Sequence, residues 1–231
     1  MTKRIRSNPN YAATVGIIEV LNEPQTDRDP GKMPQQEKDS LTQSYYPQAL
    51  QAVRDAEGNI PDNQRLHVQF MDAQWEAGNP KSNLPNDANI VFDDHNYVGG
   101  AVKAIHPEGP KQGDYMWYTC RTDNRLTDGD TPKIVQEWSL IVGDESTPEF
   151  NWKDSQGNPN PLTAPFYQDW FVAQQRLYEK TNGWIFWSWK TMNNDPRWDY
   201  SYLLSLKWIP TNAAGLDASA NKDTCAKWFP N

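Results

Sequence analysis

The stretch IIEVLNEPQ, Ile17–Gln25, is an apolar run that ends by presenting an amide, a carboxylate and a proline together (Asn22, Glu23, Pro24). An ionised group is costly to bury, so a buried strand with a glutamate at its end predicts that the chain leaves its core at that point. The pattern recurs in KIVQEWSL, Lys133–Leu140, where Glu137 follows Ile134 and Val135. Two predicted strands each deliver a carboxylate at their exit.

Further strands are expected at 66–72 (LHVQFMD, alternating), 89–97 (NIVFDDHNY) and 183–190 (GWIFWSWK); the opening strand is read over 14–22. Between them, Leu41, Tyr45, Leu50 and Val53 predict a helix over 40–57, with Pro47 near its first turn, where a missing N–H is tolerated. Phe166, Trp170, Ala173 and Leu177 predict a second helix, stopped before Gly183. Residues 25–39 and 143–163 read as loops, and 98–132 as a long polar connection. WDYSYLLSLKWIP is a short amphipathic segment before a tail that carries Cys225 in coil. No internal repeat is evident, which excludes a solenoid. Strand, loop and helix in alternation predict an α/β protein of parallel βα units. In a (β/α)8 barrel the C-terminal ends of the strands carry the active site. Both glutamates fall there, as do His95 and Tyr97.

Composition narrows the partners. The net charge of −8 over 231 residues argues against nucleic acid or an anionic membrane. Although only 37% of residues are hydrophobic, 11 Trp, 10 Tyr and 7 Phe separate the chain from the disordered class. Most of these rings are expected in the core; the remainder suit the C–H faces of sugars. There is no apolar run long enough to cross a bilayer, and MTKRIRSNPNY lacks the apolar stretch of a signal peptide. With three scattered histidines and no Cys-x-x-Cys, neither a metal site nor a cofactor is expected. For Cys120 and Cys225 the spacing leaves free thiols and a disulfide equally open; a bridge would close a loop of about 100 residues, worth roughly 4–5 kcal/mol.

Paired carboxylates among aromatic rings suit glycoside hydrolysis. One protonated carboxyl delivers a proton to the leaving oxygen, and the other carboxylate attacks the anomeric carbon or activates water. Asn22 is placed to hold a sugar 2-hydroxyl. His95 and Tyr97, two apart on a strand, point the same way. Tyr97 is expected to hydrogen-bond Glu137 and keep it ionised and oriented.

LNEP, FDDHNY, EWS and GWIFWSWK resemble, in order, the motifs of glycoside hydrolase family 5, a retaining family on the (β/α)8 TIM barrel. SYYPQALQAVRDAE, WEAGNP, CRTDNR and RWDYSY are most similar to its fungal endo-β-1,6-glucanases, with exo-β-1,3-glucanases second. The resemblance implies a secreted, cofactor-free enzyme acting on the polysaccharide β-glucan. Glu23 would be its acid/base and Glu137 its nucleophile. Asn22, His95 and Tyr97 would line the reacting subsite, with Trp189 as the platform beneath the sugar, Trp187 as the second choice, and Trp75 at a further subsite. It also implies a Cys120–Cys225 disulfide.

The chain departs from the family pattern in two ways. Gln136 stands where the family usually has glycine before the nucleophile, a position whose backbone Gln would tolerate poorly if it were left-handed. Only 21 residues precede Asn22, although the NEP motif ends the fourth strand; MTKRIRSNPNYAATV resembles the end of the third helix. Residues 1–231 are therefore read as a single, N-terminally truncated catalytic domain holding strands four to eight. An open sheet of five strands leaves unpaired edges, so the isolated chain is expected to be marginally stable, aggregation-prone and nearly inactive. Two other readings remain: an exo-β-1,3-glucosidase, and a catalytically impaired remnant that binds glucan without cleaving it. The full-length protein is expected outside the cell or in the cell wall, and its oligomeric state is open.

Overall fold

Five strands run in sequential order, β1 (Ile17–Glu19), β2 (His67–Met71), β3 (Ile90–Asn96), β4 (Lys133–Trp138) and β5 (Trp184–Phe186). A computed structural model describes residues 1–24, 34–72, 81, 83–85, 89–122 and 131–230. The pairs β1–β2, β2–β3 and β4–β5 are parallel. Helical segments join them: α1 (Thr2–Ser7), α2 (Pro9–Thr14), α3 (Gln35–Ser40), α4 (Tyr46–Glu57), α5 (Val98–Ile105), α6 (Gln112–Trp117), α7 (Ala164–Tyr178), α8 (Tyr200–Ser205), α9 (Ala213–Ala220) and α10 (Thr224–Trp228). Sequential parallel strands with helical crossovers are the arrangement of a partial (β/α) barrel. None of the helices among the described residues is long and apolar enough to cross a membrane. The chain divides into two compact units, Met1–Asp94 with Asp128–Ile134, and His95–Thr127 with Val135–Asn231.

In the first unit α4 lies against the sheet. Tyr46, Leu50 and Val53 recur at helical spacing and bury against Val68 and Phe70 of β2 and Ile90 and Phe92 of β3. Alternate strand residues share a face, which is why 68 and 70, then 90 and 92, meet the same helix. Pro47 does sit at the start of α4, preceded by a π turn over Leu41–Tyr45 in which the Tyr46 N–H reaches Leu41 O. That wider turn lets the helical run continue into a residue with no N–H to give. The other end of α4 is held by charge. Buried Glu57 accepts from Arg6, from Arg54 Nη1 at 2.8 Å and from the Leu66 N–H at 2.7 Å. Burial alone would raise the Glu57 pKa, but these donors outweigh it and hold the carboxyl below its ordinary value. A second buried pair, Lys133–Asp72 at 2.7 Å, lies at the exit of β2. The strand expected over 14–22 is only three residues long, with Ile17 38% exposed.

The second unit is built on rings. Trp138 is fully buried, with the centroids of Phe171, Tyr178, Trp184 and Phe186 5.0–5.3 Å from its own. Helix α7 supplies much of this core through Phe166, Tyr167, Trp170 and Phe171. The region expected to be a polar connection instead holds α5 and α6, then a π turn over Tyr118–Thr122. Cys225 lies in helix α10 and not in coil, and it is disulfide-bonded to Cys120, 105 residues away, as the resemblance implied. Gly99 of α5 and Gly143 after β4 touch backbone to backbone. A Cβ on Gly99 would sit 2.2 Å from Ile141 O, and one on Gly143 would sit 2.3 Å from Gly99 O. Strand β5 is three residues long and leaves Ile185 51% exposed.

Candidate active site

The side chain of Glu137 is aimed by an irregularity in its strand. Val135 pairs with Trp184 and Trp138 with Phe186, so three steps on β4 match two on β5. Strict alternation would put Val135 and Glu137 on one face and Trp138 on the other. The shift lets both Val135 and Trp138 enter the aromatic core while Glu137, 14% exposed at its side chain, is turned elsewhere. Gln136 lies within β4 and is not among the described residues with positive φ. Its backbone conformation is one that any residue adopts.

Two side chains from the end of β3 reach the same carboxylate oxygen. The Tyr97 hydroxyl donates to Glu137 Oε2 at 2.7 Å, the contact expected from sequence. His95 Nδ1 stands 3.5 Å from the same atom, its side chain 1% exposed. A phenol donor favours the charged form of the acid and removes its rotational freedom. Tyr97 is in turn backed by Trp198, ring centroids 5.6 Å apart. Trp198, which falls within RWDYSY but has no role expected from sequence, arrives by way of the loop after β5, which is pinned at two acids. Asp195 takes a fork from Arg197, with Nη2 to Oδ2 at 2.6 Å, and its backbone oxygen accepts from the Trp198 N–H. Asp199 accepts from the Thr191, Ser201 and Tyr202 groups. Burial opposes the charge on Asp199, yet those donors keep its pKa below the ordinary value.

Trp187 and Trp189 flank Ser188 just past β5, 48% and 66% exposed. Trp189 stacks on Tyr200 with centroids 5.9 Å apart. The Trp187–Ser188 peptide is cis, and the Ser188 and Ser201 N–H groups bond the backbone of Trp198 and Trp189. An indole that stacks on one neighbour and stays 66% exposed has apolar surface free to meet a ligand. Of the residues expected from sequence, the second unit thus brings His95 and Tyr97 onto Glu137 and carries Trp187 and Trp189 just past β5.

Asn22 and Glu23 belong to the first unit, just beyond β1. Asn22 is exposed and Glu23 half-buried. Glu23 has φ +42, a left-handed backbone that is uncommon for a non-glycine residue, and it is followed by the buried Pro24. Strained backbone of this kind clusters at functional sites. Trp75 lies outside the described residues.

No family model matches the chain. It is 35% identical over 218 residues to a probable glucan endo-1,6-beta-glucosidase B of Neosartorya fischeri, covering 94% of this chain and 49% of that protein. The glucan endo-1,6-beta-glucosidase B of Emericella nidulans is also 35% identical, over 91% of this chain and 47% of its own length. A probable glucan 1,3-beta-glucosidase A of Aspergillus niger is more distant, 26% identical over 86% of this chain and 49% of its own length. Among solved structures, one described as "Crystal structure of AoRut" shares the fold with TM-score 0.55 at 17% identity, over 89% of this chain and 55% of that one. The chain spans about half the length of the curated relatives it matches. Over most of its own length, therefore, this chain is similar to glucan endo-1,6- and, more distantly, 1,3-beta-glucosidases.

Proposed function

We propose that the protein from which this chain is read is a retaining glycoside hydrolase that cleaves β-glucan, with Glu137 as nucleophile and Glu23 as acid/base. The observation that carries the reading is the grip on Glu137. A carboxylate re-aimed by an irregular strand, with Tyr97 and His95 on one oxygen, is held in one orientation, as a nucleophile requires. In the first step a Glu137 oxygen bonds to the anomeric carbon while the glycosidic C–O bond breaks, and the leaving oxygen takes the Glu23 proton. In the second, water gives a proton back to Glu23 and attacks the same carbon, releasing Glu137. Net retention asks for a separation of about 5–5.5 Å between the two carboxyl groups. Asn22 would hold the 2-hydroxyl, while Trp189, Trp187 and Trp75 would carry sugar rings.

Likeness to endo-1,6 relatives at 35% against 26% for a 1,3-glucosidase favours an endo-acting β-1,6-glucanase. The exposed Ile17 and Ile185 on β1 and β5 suit a complete (β/α)8 barrel in which further strands cover them. A disulfide suits an oxidising, extracellular setting. A mechanism-based 2-fluoro glycoside tests the assignment on the complete enzyme: mass spectrometry should find the adduct on Glu137. Saturable glucan binding with no covalent adduct would make the protein a binding remnant instead. Glu137→Gln is expected to lower turnover by more than about a thousandfold without unfolding the protein. Products then separate the modes, short oligosaccharides from endo attack on β-1,6-glucan and glucose from exo attack on β-1,3-glucan.

A further inference from the structure

Behind the aromatic core runs a short chain of polar groups that the reaction scheme does not use. Asn96 Nδ2 donates to the Tyr178 hydroxyl at 2.8 Å. That hydroxyl donates to Gln174 Oε1 at 3.1 Å, and Gln174 Nε2 donates to Ser139 O at 3.3 Å. All four residues are at most 3% exposed. Apolar side chains would fill such a position at lower cost than buried amides, so the chain is there to fix geometry.

Its two ends mark what is fixed. Asn96 stands between His95 and Tyr97, the two residues on Glu137 Oε2. Extended residues alternate, so anchoring Asn96 to α7 commits both neighbours to the opposite face. Ser139 follows Glu137 by two residues, at the exit of β4. The exits of β3 and β4 are thus keyed to one turn of one helix, at Gln174 and Tyr178, which are four apart and share a face. We infer that Tyr178 and Gln174 are positioning residues: through Asn96 and Ser139 they set the Tyr97–Glu137 contact on which the proposed hydrolysis depends. The inference rests on the reading of Glu137 as nucleophile.

Tyr178→Phe is the direct probe, because it keeps the ring against Trp138 and deletes the hydroxyl alone. In the complete enzyme kcat should fall about tenfold, as for a small misplacement of a reacting group, with KM changed by less than about twofold. A merely structural loss would not care whether Tyr97 has its hydroxyl. In a Tyr97→Phe background the same substitution should therefore cost almost nothing further, since both changes remove one contact. An unchanged kcat per folded molecule, or an undiminished tenfold loss in that background, would overturn the inference. If Tyr178→Phe does not fold, Gln174→Met is put through the same cycle with the same expected and opposing results. Should the unaltered enzyme cleave no β-glucan, the proposed function falls by itself. A crystal structure of the Tyr178→Phe protein then decides: a Tyr97–Glu137 separation opened beyond hydrogen-bond reach supports the positioning role, and a retained 2.7 Å contact sinks it.

Discussion

Around Trp138 in the second unit, four aromatic rings stand 5.0–5.3 Å away between centroids; around Glu57 in the first, the neighbours are two guanidinium groups and a backbone amide. The first arrangement draws on burial of apolar area, which is non-directional. The second draws on charge pairing, which depends on geometry and leaves a severe penalty when one partner is lost. A covalent bridge strengthens the contrast, because Cys120 and Cys225 both lie in the ring-rich unit. What the difference teaches is where each unit is vulnerable. The second is weakened by opening its chain, the first by changing one charge.

Hydrogen exchange resolved by unit can break or sharpen this contrast. Cys225→Ser should have the largest effect, removing about 4–5 kcal/mol by freeing a loop of about 100 residues. The loss should fall on amides of the second unit, and an equal loss in both units would end the distinction. Glu57→Gln should come next, at about 3 kcal/mol from leaving two guanidinium groups without their shared anion, concentrated near α4 and the start of β2. A cost near zero there would mean that α4 is held by Tyr46, Leu50 and Val53 alone. Acidification should separate the units least, because each holds a carboxyl whose pKa is lowered on folding, Glu57 and Asp199. A lowered folded value means stability fully present above the ordinary pKa and lost as pH falls through the folded one. Protection should therefore stay level down to about pH 4.5 in the first unit and about pH 3.8 in the second, the ordinary values for Glu57 and Asp199, and decline below them. A decline starting near neutrality would assign the dependence to some other group.

Periodicity made the scaffold legible. LHVQFMD and NIVFDDHNY became β2 and β3, and the apolar spacing of 166–177 became α7. The failures have physical causes. VGGAVKAI carries two adjacent glycines, which depress helix propensity and hid α5; yet Gly99 is required there by the backbone carbonyl of Ile141, 2.2 Å from where a Cβ would sit. The shared direction of His95 and Tyr97 could be anticipated because strand alternation is local. The irregularity that turns Glu137 could not, although a trace is visible: Val135 and Trp138 are three apart where an undisturbed strand would space core residues by two. Trp198 and Asn96 lie inside RWDYSY and FDDHNY, but their contacts with Tyr97 and Tyr178 left no mark, because these partners meet only after β3, α7 and the loop beyond β5 are assembled.

The Gly99–Gly143 contact has a consequence for how such sequences change over time. Gly99 cannot gain even a methyl group while the Ile141 carbonyl stays where it is, nor can Gly143 while the Gly99 carbonyl does. The segment after β3 and the segment after β4 are therefore free to vary in length and charge around this point but not to drift apart at it. A descendant that replaced one glycine would have to rebuild the docking of α5, and with it the approach of Tyr97, before selection could act on any gain. Joint retention or joint loss of the pair across related proteins would be the genomic signature of that constraint.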